Sequence, residues 1–329
     1  MPNLRLHTGT AWLVLAASLT GQTPIPPPPP AAWRGLFGEY GADSTATFIV
    51  FERSGNLLLR GPRGDTTTLE SVSAFQLDPA GHARALVTSS GLQPRRAVGP
   101  EDGRQLRLTP VRPVAELLRE VRGLTPPAES GAFRAPDLVE LTTLDSTIRL
   151  EIRYATTNNF LGSVFYASAH AFLQRPAALA LVRVQRRLRA LGYGLLIHDA
   201  YRPWFVTKVF WEATPPDRHW LVANPAQGSK HNRGCAVDLT LYDLRTGEPL
   251  DMGGTYDEAT ARSFVDYPVA TSEQSWRREL LRIVMEDAGF SRNPREWWHF
   301  DYRDWQSYPI LNRSFEELHT RTAPSPERQ

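Results

Sequence analysis

The chain has 329 residues, enough for one large or two ordinary domains, with 37 Lys and Arg against 35 Asp and Glu and a formal net charge of +2. So small a basic excess gives no reason to expect a nucleic-acid partner, and a composition 41% hydrophobic and 22% charged can bury a core. One cysteine excludes an internal disulfide framework and any cysteine-rich metal site.

Residues 1–23 read as a signal sequence. Arg5 gives a positive start, and Ala11 to Leu19 form a short apolar core. That core falls far short of the roughly 18 residues of a membrane span. No later stretch is long and apolar enough to be one, so the expectation is an exported protein, periplasmic or secreted, without a membrane span. Residues 24–32, with Pro24 and Pro26 to Pro30, read as a stiff polyproline spacer. Residues 33–110 read as a small all-β accessory domain. Thr47 to Phe51 and Leu57 to Leu59 flank Ser54-Gly55-Asn56 as a hairpin, and short β-like runs follow at 75–77, 83–87 and 106–108. Residues 111–136 read as a linker with a short helix from Val114 to Val121, broken afterwards by Pro126, Pro127 and Pro136.

Residues 137–315 read as the catalytic unit, and 316–329 as a polar tail. Thr147 to Tyr154 alternates as a strand does. Residues 176–191 place Leu179, Val182, Leu188 and Leu191 near helical spacing, with Pro176 in the first turn and Gly192 at the end. Gly194 to His198 reads as a buried strand leading into Asp199-Ala200-Tyr201-Arg202-Pro203. A helix over 204–212, a strand over 235–241, a helix over 275–288 and an aromatic strand over 297–302 complete an α+β unit, with helices around a small antiparallel sheet.

The chemistry concentrates in two stretches. In Ser229-Lys230-His231-Asn232-Arg233-Gly234-Cys235-Ala236-Val237-Asp238, a His and an Asp stand seven residues apart with a glycine between them. Strand alternation puts Asp238 on the face of Ala236 and Thr240, and Cys235 on the opposite face with Val237 and Leu239. Gly234 can take a conformation that turns His231 back over the strand. In Glu296-Trp297-Trp298-His299 a carboxylate precedes a second His by three residues. A regular strand would send those two to opposite faces, so a bend is expected, with Glu296 at a loop end and His299 on the aromatic strand. His231, Asp238 and His299 could hold Zn²⁺ with a position left open, and Glu296 is then the spare base. Arg202, ahead of a proline that fixes the chain, reads either as a stabiliser of oxyanion charge or as an Arg bonding loop carbonyls. Cys235 reads as a packing residue, His198 as a satisfied core histidine and His219 as a surface one.

The Ser-x-His-x-x-Gly-x-x-x-Asp and Glu-x-x-His pair resembles the zinc peptidases that cleave D-alanyl peptides, among them D,D-carboxypeptidases and D-Ala-D-Ala dipeptidases. The dipeptidase branch fits better. Arg153-Tyr154-Ala155-Thr156, Asp199 to Pro203, Leu239-Thr240-Leu241-Tyr242 and Met252-Gly253-Gly254-Thr255-Tyr256-Asp257 occur in its order, across residues 137 to 312. The resemblance implies one zinc per chain on His231, Asp238 and His299, a general base at Glu296 and a transition-state arginine at Arg202. It also implies Asp257 holding the free amino group of a small D,D-dipeptide, with Ser229 and Tyr154 contacting substrate. Two alternatives stay open: a D,D-carboxypeptidase acting on cell-wall peptides, and a non-catalytic module that keeps zinc as structure.

Overall fold

A computed structural model describes residues 22–33, 35–42, 47–53, 55–96, 104–267 and 272–322. The expected signal sequence therefore lies almost wholly outside the described residues. The fold is mixed α+β, with two hydrophobic cores.

The smaller core is all β. Strands β1 (Gly38–Tyr40), β2 (Phe48–Arg53), β3 (Asn56–Arg60) and β4 (Thr66–Thr68) form one antiparallel sheet in sequence order, and β5 (Phe75–Leu77), β6 (Ala83–Thr88) and β7 (Gly91–Pro94) form a second. Leu36, Phe37, Tyr40, Val50, Leu57 and Leu86 are buried between them. Arg95 ties the assembly together, its guanidinium donating to the carbonyls of Gly35 and Phe37 at 3.1 and 2.6 Å.

The larger core begins with helix α1 (Val114–Val121), which buries Val114, Leu117 and Val121 in it. The segment expected to be a linker thus contributes to the larger core. Leu106 and Leu108, expected in the β domain, also pack against this larger core. Strand β8 (Leu138–Glu140), helix α2 (Leu141–Leu144) and strand β9 (Arg149–Leu150) follow, then β10 (Phe172–Gln174), helix α3 (Arg175–Arg189), strand β11 (Tyr193–Asp199) and helix α4 (Trp204–Ala213). Strand β12 (Ala236–Asp243), helix α5 (Ser272–Asp287), strands β13 (Phe290–Asn293) and β14 (Glu296–Tyr302), and helix α6 (Phe315–Thr322) complete the chain.

The central sheet has the order β13-β14-β12-β11-β9. It is antiparallel except at β9, which pairs parallel with β11. The strand expected over 147–154 forms for two residues only. Beyond it the chain turns into a 3₁₀ segment, Arg153–Ala155, that buries Tyr154. β8 and β10 form a separate ribbon. Gly194 on β11 is needed because Tyr242 of β12 crosses it: a Cβ there would lie 2.4 Å from the Tyr242 ring.

Helix α3 packs on β11 through only half of the stripe expected for it: Val182 and Leu188 are buried. Leu179 and Leu191 are 44% and 43% exposed, while Ala177, Ala178, Leu181, Gln185 and Leu188 face inward. The alanines let the helix approach closely. Gln185 then finds work inside: its amide donates to the Thr147 carbonyl at 3.0 Å and accepts from the Leu195 N–H at 2.8 Å.

Two terminal expectations also change. The polyproline stretch does not stand clear of the fold. Thr23 donates from its N–H and hydroxyl to Asp287 at 2.8 and 2.6 Å, Trp276 donates to the Pro26 carbonyl at 2.9 Å, and Ile25 packs on the larger core. The polar tail starts with α6, whose Phe315 and Leu318 are buried. Among the described residues no helix is long and apolar enough to cross a membrane.

Candidate active site

His231, Asp238 and His299 converge. Each offers one atom, and the three atoms lie within 4.8 Å of one another. Nε2 of His231 is 3.2 Å from Nδ1 of His299, which is 2.9 Å from Oδ1 of Asp238. Sheet register brings two of them together: β12 and β14 pair so that Asp238 stands directly opposite His299. His231 comes from a 3₁₀ turn, His231–Arg233, closed by Gly234 at φ +67°. A side chain at Gly234 would be strained in that conformation and would meet Leu138 Cδ2 at 2.4 Å.

The outer contacts suit a metal. The Ala200 carbonyl lies 2.7 Å from Nδ1 of His231, which fixes the proton on Nδ1 and leaves the Nε2 lone pair facing the cluster. Asp301 Oδ1 lies 2.9 Å from Nε2 of His299 and fixes that ring the same way, while Lys230 holds Asp301 at 2.6 Å. Tyr256 donates to Oδ2 of Asp238 at 3.0 Å, leaving Oδ1 to face the histidines. Burial alone would raise the Asp238 carboxyl, yet His231 and His299 hold it well below its ordinary value. Burial alone would lower His299, yet Asp238 and Asp301 lift it well above its ordinary value. The raised His299 shows that the carboxylates of Asp238 and Asp301 favour positive charge beside this ring, which a divalent cation would meet. Two neutral imidazoles and one carboxylate are a donor set of the kind catalytic zinc takes.

Glu296 opens β14, where the expected bend occurs. Arg292 pairs with Phe300, yet the next residue, Asn293, pairs with Glu296, so three residues of β14 bulge out of the β13 ladder. This brings Glu296 Oε2 to 3.7 Å from Nδ1 of His299, and Asn293 donates to the same oxygen at 2.8 Å. The Glu296 side chain is 35% exposed and lines the cleft. Burial, then the Asp238 charge, raise its carboxyl above the usual range against the pull of His299, His231 and Arg202.

Arg202 is buried and bonds Asp199 twice, Nε at 2.9 Å and Nη2 at 2.6 Å to the same oxygen. Tyr166 donates to the other Asp199 oxygen at 2.7 Å. The guanidinium lies 5.2 and 4.9 Å from the ring centroids of Tyr154 and Phe210. It is thus pinned on a carboxylate and two rings rather than on loop carbonyls, and it lines the cleft.

Asp257 is the one non-glycine residue with positive φ, +58°, among the described residues. Tyr154 donates to its Oδ1 at 3.4 Å, while its buried Oδ2 has no hydrogen-bond partner among the described residues. Burial, then Asp238 and Glu296, push its carboxyl up to about 8. Ser229 accepts the His231 N–H at 3.2 Å, so it also shapes the metal turn. All eight candidate residues, Tyr154, Arg202, Ser229, His231, Asp238, Asp257, Glu296 and His299, line one cleft of about 760 Å³.

Cys235 is buried outside the cluster, and burial raises its thiol to about 12, which agrees with a packing role. His198 is a core histidine, as expected: its Nδ1 lies 3.4 Å from Glu151 Oε2 but makes no hydrogen bond of good geometry among the described residues. His219 is half-buried rather than open, stacked 3.8 Å from the Trp211 ring with Nε2 3.0 Å from that residue's carbonyl. Asp199, Tyr256, Asn293 and Asp301 were not singled out from the sequence. For Asp301 a signal existed, since it stands two residues beyond His299 on one strand face.

The family model described as D-ala-D-ala dipeptidase matches residues 134–320. The chain is 35% identical over 179 residues to the D-alanyl-D-alanine dipeptidase of Escherichia coli (strain K12), a match covering 54% of this chain and 91% of that protein. It is 36% identical over 180 residues to a protein of the same name from Enterococcus faecalis, covering 49% of this chain and 89% of that one. Against the one from Streptomyces coelicolor it is 34% identical over 186 residues, covering 51% and 92%.

Proposed function

Because this chain belongs to the D-ala-D-ala dipeptidase family of metallopeptidases, we propose that it hydrolyses D-alanyl-D-alanine, or a close D,D-dipeptide, to free D-amino acids. His231, Asp238 and His299 would hold one Zn²⁺. When bound, zinc supplies Lewis acidity toward the attacking water and the scissile carbonyl. Glu296, beside the ligands and with a carboxyl raised toward the working range, takes the proton of the water and returns it to the leaving amine. Arg202 places a fixed positive charge where the carbonyl oxygen becomes negative. Asp257, with Tyr154 on its other oxygen, receives the substrate ammonium in a charge-assisted bond, the incoming positive charge opposing the raised pKa and holding the ionised carboxylate. Ser229 contributes to the cleft wall.

The observation that carries this reading is the unpartnered Oδ2 of Asp257 in the same cleft as the His–Asp–His cluster. A buried carboxylate oxygen without a partner is costly unless a ligand completes it. A free ammonium does so, and an acylated amine cannot. The test is release of amine from D-Ala-D-Ala and from its N-acetyl analogue by zinc-loaded protein. Preference for the free dipeptide supports the dipeptidase. Preference for the N-acetyl analogue would give the site to a D,D-carboxypeptidase, and turnover of neither, with zinc bound, to a non-catalytic module. We also propose that residues 1–23 direct export, on the charge and short apolar core of that segment.

A further inference from the structure

We infer that the connector segment 105–108, which precedes the region matched by the family, is a positioning strap for the substrate-amine end of the cleft; this rests on the dipeptidase reading above. The segment belongs to no helix or strand and bonds the two loops that carry Asp257 and Tyr154. The Leu106 N–H donates to the Asp257 carbonyl at 2.8 Å, and two residues later the Leu108 N–H donates to the Phe160 carbonyl at 2.7 Å. Arg107 closes the same junction from outside, its Nη1 donating to the carbonyls of Thr157 and Asn159 at 2.8 and 2.5 Å. Gln105 adds a bond to the Asn158 carbonyl at 3.2 Å. Further along, the Val111 N–H donates to the Ala213 carbonyl at 2.9 Å and anchors the far end on α4.

Each loop depends on this contact in its own way. Asp257 sits at φ +58°, a left-handed conformation that Asp tolerates better than most residues with a Cβ but that still benefits from being held. The carbonyl bonded by Leu106 belongs to that very residue. The Tyr154 loop is knitted internally by Asn159, whose amide donates to the carbonyls of Thr156 and Ser163 at 2.7 Å each. Inside the cleft the two loops meet through side chains: Tyr154 to Asp257 Oδ1 at 3.4 Å, Tyr256 to Tyr154 at 3.1 Å, and Arg153 5.9 Å from the Tyr256 ring centroid. The strap is the backbone link between them. Leu106 also lines the cleft, so the strap supplies part of the wall beside the ammonium position. Residues 105–108 act through Asp257 and Tyr154, and their effect belongs in substrate binding rather than in the bond-breaking step.

The test uses the full chain with three substitutions. Leu106→Pro removes the N–H, Leu106→Ala keeps it and trims the wall, and Arg107→Ala, at an exposed position, releases the outer clamp. Losing a neutral backbone bond is worth roughly three- to tenfold in an equilibrium. Leu106→Pro and Arg107→Ala should therefore raise KM for D-Ala-D-Ala by about that factor, with kcat within about twofold. Leu106→Ala should change KM less than Leu106→Pro. In an Asp257→Asn background the KM effect of Arg107→Ala should disappear, because the group being positioned is gone. Amide exchange of residues 253–260 should speed up in both strap variants, a readout independent of turnover. KM unchanged in Arg107→Ala, an equal KM rise with or without the Asp257 carboxylate, or unchanged exchange at 253–260 would each overturn the strap. If wild type fails to cleave D-Ala-D-Ala, the dipeptidase reading falls, and the exchange result alone then supports or overturns the strap.

Discussion

Replacing Asp199 by Asn removes one charge and almost no volume from beneath Arg202. In the native chain the Asp199 side chain is 1% exposed and that of Arg202 is 9% exposed, and the pair shares two bonds of 2.9 and 2.6 Å. The amide keeps an acceptor for Arg202, and the Tyr166 hydroxyl can turn to accept from the new NH₂. What is lost is the counter-charge. Tyr154 and Phe210 face the guanidinium in both proteins, so their contribution cancels in the difference. Leaving one member of a buried pair costs about 3–5 kcal/mol, against a stability on the order of 5–15 kcal/mol. The variant should therefore fold but weakly. With a urea slope of about 3 kcal/mol/M, its midpoint should drop by about 1–1.7 M. Tryptophan fluorescence of chelator-treated protein in urea reads this without a contribution from metal binding. Asp199→Leu combined with Arg202→Met removes both charges and should recover most of the loss, though not activity. A single-variant loss below about 1 kcal/mol, or a double variant no more stable than the single, would refute the claim that this carboxylate compensates Arg202.

Glu296→Gln should retain zinc while kcat falls by a factor of about 10² to 10⁴; zinc analysis beside steady-state kinetics checks both halves, and loss of zinc would count against a base that is not a ligand. Asp301→Asn should weaken zinc affinity about 10- to 100-fold, read by competition with a chelating dye, because it orients the His299 ring. His198, which burial and then Arg153 push down to about 3, should make the fold acid-sensitive. Between pH 6.5 and 3 the unfolded chain binds a proton there that the folded chain does not, so stability falls as pH falls, by up to about 1.4 kcal/mol per unit. His198→Phe should remove that share of the slope in urea titrations across this range, and an unchanged slope would contradict it. Cell fractionation should find the chain outside the cytoplasm without its first 20 or so residues; intact protein confined to the cytosol would contradict export.

What was legible in the sequence is what local periodicity encodes. Alternation along β12 separates Asp238 from Cys235, and the three-residue spacing of Glu296 and His299 demands a bend, which appears as the broken β13–β14 register. What was not legible lies in contacts between distant segments. The Ala200 carbonyl that orients His231 is a backbone group, so no residue type announces it. Asp199 reads as an ordinary loop acid until Arg202 and Tyr166 are seen to close on it. Leu179 fits a helical stripe as well as Leu181 does. Only the inward turn of Gln185, tied to Thr147 and Leu195, decides which face is buried. The Leu106–Asp257 bond joins segments about 150 residues apart, and each side looks like an unremarkable loop alone.

The facing placement of Asp238 and His299 makes the site a parity check on strand pairing. A slip of one residue between β12 and β14 would turn these two side chains to opposite faces. A slip of two would keep the face but separate the pair, and His231, tied to β12 through Gly234, would travel with Asp238 and leave His299 behind. An ion that needs all three side chains therefore recognises one pairing and rejects its neighbours. Present during refolding, it would act as a proofreader, drawing the sheet toward the correct alignment by mass action before any substrate is met.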